Sequence, residues 1–413
     1  MGFARSVGKG FFPLDEVLEL VPGTLTPHGH ECLVRLSGWM PFEKAAELLG
    51  DVLGIRVSKG MSQRYAEEAG AAYEQIQTEE VERLEKEAPQ AEQGADKIQV
   101  SADGAMVPLV HGVWAEVRTV VIGEVVSEAD RDGERVAHTQ NLSYFSRKVK
   151  AETFERLALA EMQRRGVEKA KEVAAIMDGA EWEQGFADYH CPAAIRILDF
   201  PHAAEHVNHI GESLYGEHTP ESLAWLSERL HRLKHEGPEE LLLEFQQLHQ
   251  QYPEREPITS NLAYLEKRKA QMQYPRFQAQ GWPIGSGIVE SGNKLVVEAR
   301  LKGSGMHWGE EHVNPMLAIR NVICSDRWKE EWPKIEARLR QQARERQTKL
   351  HCSRKITPPA ECIPPQPLVD EQILQHLEER LAQENEPKKP KRNPWRNFKF
   401  GRSLYQPSSP PKN

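Results

Sequence analysis

The chain has 413 residues, 28% of them charged, which is enough for about two or three domains with sizeable cores. No run of about 18 apolar residues occurs, so an α-helical membrane span is excluded. Five scattered cysteines form no CxxC pair, which excludes a cysteine zinc site and fits a reducing cytoplasm. The formal net charge of −9 does not exclude a nucleic-acid ligand, because DNA affinity follows local cationic surface.

The first predicted elements are helices over residues 25–87. Residues 41–49 place apolar side chains on one face, a glycine-containing turn follows, and Ser58 can cap the next helix. This pattern predicts a helix-turn-helix, in which the start of the second helix meets base edges. The predicted DNA contacts are Lys59, Ser62, Gln63 and Arg64. The alternative is an ordinary helical hairpin that binds no DNA.

From Lys97 the pattern changes to strands. Predicted strands at 97–103, 106–110 and 114–125 are followed by a helix at 151–165, a strand ending at Asp178, a helix at 181–189 and a strand at 194–199. This order predicts an α/β fold with a mixed sheet. A dinucleotide-binding fold is disfavoured, because no Gly-rich loop follows the first strand.

Acidic residues occupy positions suited to divalent metals. Asp103 and Asp178 each end a predicted strand, and Glu290 lies in a predicted helix at 286–301 that Ser286 can cap. Together these three carboxylates can form an oxygen cage for two Mg²⁺ or Mn²⁺ ions, as in phosphoryl transfer. Asp199 also ends a predicted strand and is the alternative to Asp178.

Residues 203–280 are predicted to be helical throughout. His202, His206 and His209 are spaced by four and three residues and therefore share one helix face. Such spacing can ligate a metal, but no paired Cys or Glu-x-x-His partner accompanies it. Ordinary helix packing is the favoured interpretation of these histidines.

Several motifs resemble the transposases of bacterial insertion sequences. They are Ser-Ala-Asp-Gly at 101–104, Ile-Met-Asp-Gly-Ala-Glu-Trp at 176–182, Ile-Leu-Asp-Phe-Pro-His at 197–202, Gly-Ser-Gly-Ile-Val-Glu-Ser at 285–291 and Arg-Leu-Lys-Gly-Ser-Gly-Met-His-Trp at 300–308. The chain is similar to the DDE class with a ribonuclease-H-like core, and the ISKra family is the closest group that can be named. The similarity covers about residues 13–328, and a further short stretch of similarity lies near residues 394–396.

The resemblance implies a function and a set of site residues. The implied function is binding of element ends with Mg-dependent DNA cleavage and strand transfer, with Asp103, Asp178 and Glu290 as catalytic metal ligands. The order of the fold family selects Asp178 over Asp199, and the implied supporting residues are Asp199, His202, Lys294 and Lys302. The implied partner is double-stranded DNA, both terminal inverted repeats and target, bound by a homo-oligomer at the nucleoid. An inactive DNA-binding remnant and a nuclease of the same fold are the alternatives.

The predicted organisation has five parts. They are a helix-turn-helix region at 1–93, the first part of a ribonuclease-H-like core at 94–202, a helical insertion at 203–280, the last core helix at 281–335, and a Pro-rich linker with a basic tail at 336–413. In that tail, Lys391, Arg392 and Arg396 are predicted to contact DNA, with a solvated tail as the alternative. The resembled family often carries a cysteine-rich segment before the motif at 12–16, so a shortened start is predicted.

Overall fold

The computed structural model describes residues 5–6, 9–10, 25–87, 94–129 and 135–356. Residues 1–351 form one compact unit and residues 352–413 form a second, of which only 352–356 are described. The predicted DNA contacts Lys391, Arg392 and Arg396 therefore lie outside the described residues. Within the described ranges, no helix has the length and apolar character needed to cross a membrane.

A mixed five-stranded sheet lies at the centre of the first unit, in the order β5-β4-β3-β6-β7. Its strands are β3 (Lys97–Pro108), β4 (Trp114–Ala129), β5 (Arg135–Arg147), β6 (Glu172–Met177) and β7 (Ile195–Leu198), while β1 (Arg5–Ser6) and β2 (Lys9–Gly10) pair separately. Strands β3, β4 and β5 are antiparallel, whereas β6 pairs parallel with both β3 and β7. The predicted α/β class with a mixed sheet is confirmed.

The first long strand differs from its prediction. Residues 97–103 and 106–110 were predicted as separate strands, but β3 continues to Pro108 and pairs with β4 from Ile98 onward without a break. Asp103 therefore lies in the middle of a strand, and its predicted position at a strand end is wrong. The long partner β4 keeps β3 extended, because each residue added to the ladder satisfies further backbone hydrogen bonds.

Helices cover both faces of the sheet. On one face α4 (Ala151–Arg164) and α5 (Glu181–His190), both predicted, pack Phe154 and Phe186 against Val120. On the other face Val121 packs against the helix that begins at Gly287. Successive strand residues point to opposite faces, so the apolar run in β4 supplies both cores.

The N-terminal helices pack into the same unit as the sheet. They are α1 (Pro27–Trp39), α2 (Phe42–Leu53) and α3 (Lys59–Glu87). The predicted cap of α3 is confirmed, because the Met61 N–H donates to Ser58 Oγ at 3.2 Å. Their apolar side chains share one buried cluster with α13 (Glu310–Cys324) and α14 (Trp328–Ile356).

Residues 203–280 are helical, as predicted, apart from short turns. The helices are α6 (Phe200–Tyr215), α7 (Pro220–His235), α8 (Glu239–Gln251), α9 (Glu256–Lys267) and α10 (Tyr274–Ala279), and a 3₁₀ turn at Lys269–Met272 lies between the last two. Two further 3₁₀ turns, Val110–Gly112 and Val167–Lys169, lie earlier in the chain. Their core includes Ile176 of β6 and Leu198 of β7. These helices therefore pack directly on the parallel half of the sheet.

The helix predicted at 286–301 changes its hydrogen-bond pattern midway. It consists of α11 (Gly287–Gly292), a π-helical segment (Asn293–Glu298) and α12 (Ala299–Leu301). The predicted cap is wrong, since the Ser286 side chain makes no capping hydrogen bond. Gly292 lets this helix approach the sheet, because a Cβ there would lie 2.6 Å from Val121 Cγ2.

Candidate metal centre

Asp103 extends from the central strand β3 and is partly buried. One carboxylate oxygen, Oδ1, accepts the Gly104 N–H at 2.6 Å. The other, Oδ2, accepts the Asn293 Nδ2 amide at 2.9 Å. The Asp103 side chain is therefore held by its own strand and by the π-helical segment, two elements separated by 190 residues.

Asp178 follows the neighbouring parallel strand β6. Its Oδ1 accepts the Ala180 N–H at 2.8 Å, which forms a tight turn into α5. Gly179 within this turn has φ +89°, a left-handed conformation that L side chains rarely adopt. Because β3 and β6 are adjacent and parallel, the turn brings Asp178 beside Asp103.

Glu183 is the third member of the cluster. Among the described residues, one side-chain oxygen from each of Asp103, Asp178 and Glu183 lies within 4.8 Å of the others. Glu183 is only 1% exposed, and its Oε2 accepts the Gly179 N–H at 3.1 Å. Sequence reasoning missed this residue. The available signal was that Glu183 shares its helix face with Phe186 and Ala187, both buried, so an acid occurs on an apolar face.

Two carboxyl groups of the cluster, Asp103 and Glu183, have raised pKa values. Burial raises the pKa of Asp103, the Asp178 and Glu290 carboxylates raise it further, and the hydrogen bonds from Gly104 and Asn293 oppose these effects. Burial also raises the pKa of Glu183, to about 10, with further contributions from Asp178 and Asp103. Three carboxyl groups this close together, one of them buried, favour a shared proton or a bound cation.

The donor set fits a hard divalent cation. Carboxylate oxygens are the ligands that Mg²⁺ and Mn²⁺ prefer. None of the three acids takes part in an ion pair within the described part of the chain. Asn293 is 5% exposed, and its Oδ1 has no hydrogen-bond partner among the described residues. The three carboxyl groups thus lie beside a buried amide oxygen that accepts no hydrogen bond from the described residues, and no basic side chain pairs with them there. Such a group of oxygen atoms suits a cation better than an apolar ligand.

Glu290 lies near this cluster but outside it. Its charge is close enough to raise the pKa of Asp103. Its side chain is 54% exposed, and one carboxylate oxygen lies 3.9 Å from Lys294 Nζ. The residue of this helix that contacts Asp103 is Asn293, one turn further along. The role predicted for Glu290 as a metal ligand stays a prediction.

Asp199 connects two segments near the site. It is buried, its Oδ2 accepts the His202 N–H at 3.0 Å as the cap of α6, and its Oδ1 accepts the Ser286 N–H at 2.6 Å. Both oxygens are thus engaged by backbone donors, and Asp199 lies outside the group of three clustered acids. Asp178, rather than Asp199, approaches Asp103. Through these two hydrogen bonds, Asp199 links α6 to the loop before Gly287.

The remaining predicted supporting residues have other neighbours. Lys294 is well exposed beside Glu290, and Lys302 Nζ donates to Glu298 at 2.9 Å. His202 and His206 pack ring against ring at 5.0 Å, and His206 Nδ1 lies 2.6 Å from Asn261 Oδ1. Among the described residues, the acidic cluster is the candidate metal group, and the three histidines are not part of it.

The predicted DNA contacts on α3 divide into two kinds. Lys59 and Arg64 are exposed, while Gln63 is partly exposed and donates to Glu67 at 2.8 Å. Ser62 is fully buried, and its hydroxyl lies 2.9 Å from that of Ser37. The prediction that Ser62 contacts DNA is therefore wrong, because its side chain faces α1 and not the solvent.

Comparison of the chain with models of known protein families gave no match, and neither did comparison with curated protein sequences. The geometry of the acidic cluster, the fold and the motif resemblance are therefore the basis for assigning a function.

Proposed function

We propose that this chain is a metal-dependent DNA transposase of the DDE class with a ribonuclease-H-like core. The order of elements supports the proposal, since three antiparallel strands precede helix, strand, helix and strand. The observation that carries it is the approach of Asp103, on the central strand, to Asp178, after the adjacent parallel strand. Acids at these two places are those that the resemblance implies as the first two catalytic residues.

Asp103, Asp178 and Glu183 are the residues best placed to hold Mg²⁺ or Mn²⁺. Glu290 is the proposed further ligand from the helix that follows Ser286, and its charge already acts on Asp103. When bound, a pair of such ions activates an attacking water or 3′-hydroxyl and stabilises the leaving oxygen. Asn293 donates to Asp103 and so orients this carboxylate for the metal.

Recognition of DNA is assigned to exposed cations. Lys59 and Arg64 lie at the start of α3 and can reach the terminal inverted repeats. Lys294 is well exposed one turn from Glu290 and suits a phosphate near the reacting end. Synapsis of two element ends calls for a homo-oligomer at the nucleoid, as the resemblance implies.

The test is cleavage and joining of DNA that carries the repeats flanking the gene, with purified protein and Mg²⁺ or Mn²⁺. Asp103→Asn and Asp178→Asn should each lower cleavage at least about a hundredfold, because both remove charge that stabilises the transition state. Asp199→Asn should lower it less. Glu181→Gln is the matched control, since Glu181 is an exposed acid two residues from Glu183.

Three outcomes separate the proposal from its alternatives. Metal-dependent joined products that disappear in Asp103→Asn support a transposase. Nicks without joining indicate a nuclease of the same fold. A mobility shift without any cleavage by the unmodified protein indicates a DNA-binding remnant, and equal activity of Asp103→Asn and the unmodified protein overturns the assigned site.

A further inference from the structure

We propose that Tyr264 and Arg268, in and just after α9 of the helical insertion, are positioning residues that hold the Asp178 turn for metal binding. This inference rests on the proposed function, because it concerns the same metal site. Residues 203–280 would then help to form the metal site, because two of them hold the backbone of the turn that carries Asp178.

Two hydrogen bonds join the insertion to the backbone of the turn. The Tyr264 hydroxyl donates to the Asp178 carbonyl oxygen. Arg268 Nη2 donates to the next carbonyl oxygen, that of Gly179, at 2.5 Å. The Asp178 side chain is held separately, by the Ala180 N–H. Successive peptide groups of the turn are thus fixed from outside the sheet, and the direction of the Asp178 carboxylate depends on them.

Tyr264 is itself held firmly. The His206 ring stacks on it at 3.7 Å and 13°, and the Arg268 guanidinium lies 3.6 Å from its ring centre. Two groups cannot share one ring face at these separations, so the phenol ring is sandwiched between them. A tyrosine hydroxyl keeps its proton at neutral pH, since its ordinary pKa is about 10, and Tyr264 can therefore donate this hydrogen bond.

The turn is packed tightly against these two side chains. A Cβ at Gly179 would lie 2.5 Å from Arg268 Nε and 2.7 Å from Tyr264 Oη. Arg268 is 8% exposed and also donates to the Tyr264 carbonyl oxygen at 3.3 Å. Mutation of groups that orient metal ligands typically lowers metal affinity by about 10–100-fold.

The experiment measures Mn²⁺ binding to the full-length protein by electron paramagnetic resonance of the free ion. Tyr264→Phe removes only the hydroxyl, and we expect it to weaken Mn²⁺ binding by about tenfold. The matched control is Tyr274→Phe. The Tyr274 hydroxyl donates to the Leu198 carbonyl oxygen at 3.0 Å in the same core, and within the described part of the chain it makes no hydrogen bond to residues 178–180. Its Mn²⁺ affinity should equal that of the unmodified protein.

The outcomes distinguish this inference from the proposed function. If the unmodified protein and Asp103→Asn bind Mn²⁺ equally, the metal site itself is overturned. If only Asp103→Asn loses Mn²⁺ and Tyr264→Phe binds normally, the positioning role is overturned. Equal losses in Tyr264→Phe and Tyr274→Phe, with equal losses of thermal stability, indicate a merely structural hydrogen bond and also overturn it.

A second variant keeps the test decisive if Tyr264→Phe fails to fold. Arg268→Lys retains the charge but loses the planar fork that donates to the Gly179 and Tyr264 carbonyl oxygens, so we expect a smaller loss of Mn²⁺ affinity than in Tyr264→Phe. Arg276→Lys is its control, because Arg276 is an exposed arginine close by in the sequence. Unchanged Mn²⁺ affinity in Arg268→Lys would count against the proposal.

Discussion

At the scale of single residues, Glu183 has the most unusual environment. It is almost completely buried and lies among carboxylates, with no ion pair within the described part of the chain. Without a cation, such a group avoids the cost of burying its charge by keeping a proton. Functional sites often contain arrangements of this kind, which lower the stability of the free protein.

The sign of the pH dependence follows from the raised pKa of Glu183. In the metal-free folded protein, burial and the neighbouring Asp178 and Asp103 carboxyls raise the pKa of Glu183 from its ordinary value of 4.5 to about 10. Between these values the folded state binds more protons than the unfolded state. The contribution of the protonated Glu183 carboxyl to the free energy of unfolding is therefore complete below pH 4.5. It is lost as the pH rises towards 10.

Glu183→Gln should remove this pH dependence. Relative to the glutamine variant, the metal-free unmodified protein should become steadily less stable as the pH rises across this window. The free energy of unfolding, measured in urea with a chelator present, tests this directly. Added Mg²⁺ should restore stability to the unmodified protein and not to Glu183→Gln. Parallel pH profiles for the two proteins would refute the assigned environment, and Glu181→Gln should follow the unmodified protein.

At the scale of elements, the π-helical segment depends on a buried arginine. Arg320, on α13, is 1% exposed and donates to the carbonyl oxygens of Leu295, Val296 and Gly38, the last two at 3.2 and 3.0 Å. A π-helical turn disturbs the regular helix ladder, and such segments recur at functional sites. Arg320 supplies donors to this segment and to the last turn of α1. It thereby joins the N-terminal helices to the helix that carries Glu290 and Asn293.

Arg320→Met should lower the free energy of unfolding by about 3 kcal/mol or more, because each buried carbonyl left without a donor costs about 1–3 kcal/mol. Urea denaturation provides the measurement. Arg338→Met is the control, since Arg338 pairs on the surface with Glu79 and such pairs contribute about 0–1 kcal/mol. Equal effects of the two variants would mean that Arg320 does not support the π-helical segment.

At the scale of the whole molecule, the N-terminal helices and the sheet depend on one close helix crossing. Helix α3 passes α13 at Gly70, where a Cβ would lie 2.0 Å from the Pro315 carbonyl oxygen. The apolar cluster around this crossing includes Tyr73 from α3 and Ile319 from α13. The predicted helix-turn-helix region thus shares its core with the C-terminal helices of the same unit.

Two glycine substitutions on α3 should have opposite effects on stability. Gly70→Ala should destabilise the protein by about 1–3 kcal/mol, because the added methyl group forces the helices apart. Gly60→Ala, where nothing lies within 4 Å of the added Cβ, should stabilise it by up to about 1 kcal/mol. Thermal unfolding of both variants measures the difference. A stabilising Gly70→Ala would show that α3 does not make this close crossing.

Much of the fold could be predicted from the sequence because the signals are local. Alternating and continuous apolar runs predicted the order of strands and helices, and Ser58 predicted a real helix start. The strand patterns placed Asp103, Asp178 and Asp199 beside apolar strands, and the order of the resembled fold family selected Asp178 over Asp199 as the partner of Asp103. Asp103 and Asp178 do lie close together, although Asp103 is within its strand and not at the end.

Only the tertiary structure decided which side chains complete these local patterns. Glu183 and Glu181 look alike in sequence, but packing buries one and exposes the other. Ser62 lies at a typical DNA-contact position, yet α1 covers it. Asn293 donates to Asp103 from the first residue of a π-helical segment that Arg320 contacts. Each of these outcomes depends on a partner far away in the chain, and the local sequence around a residue does not specify which distant surface will cover it.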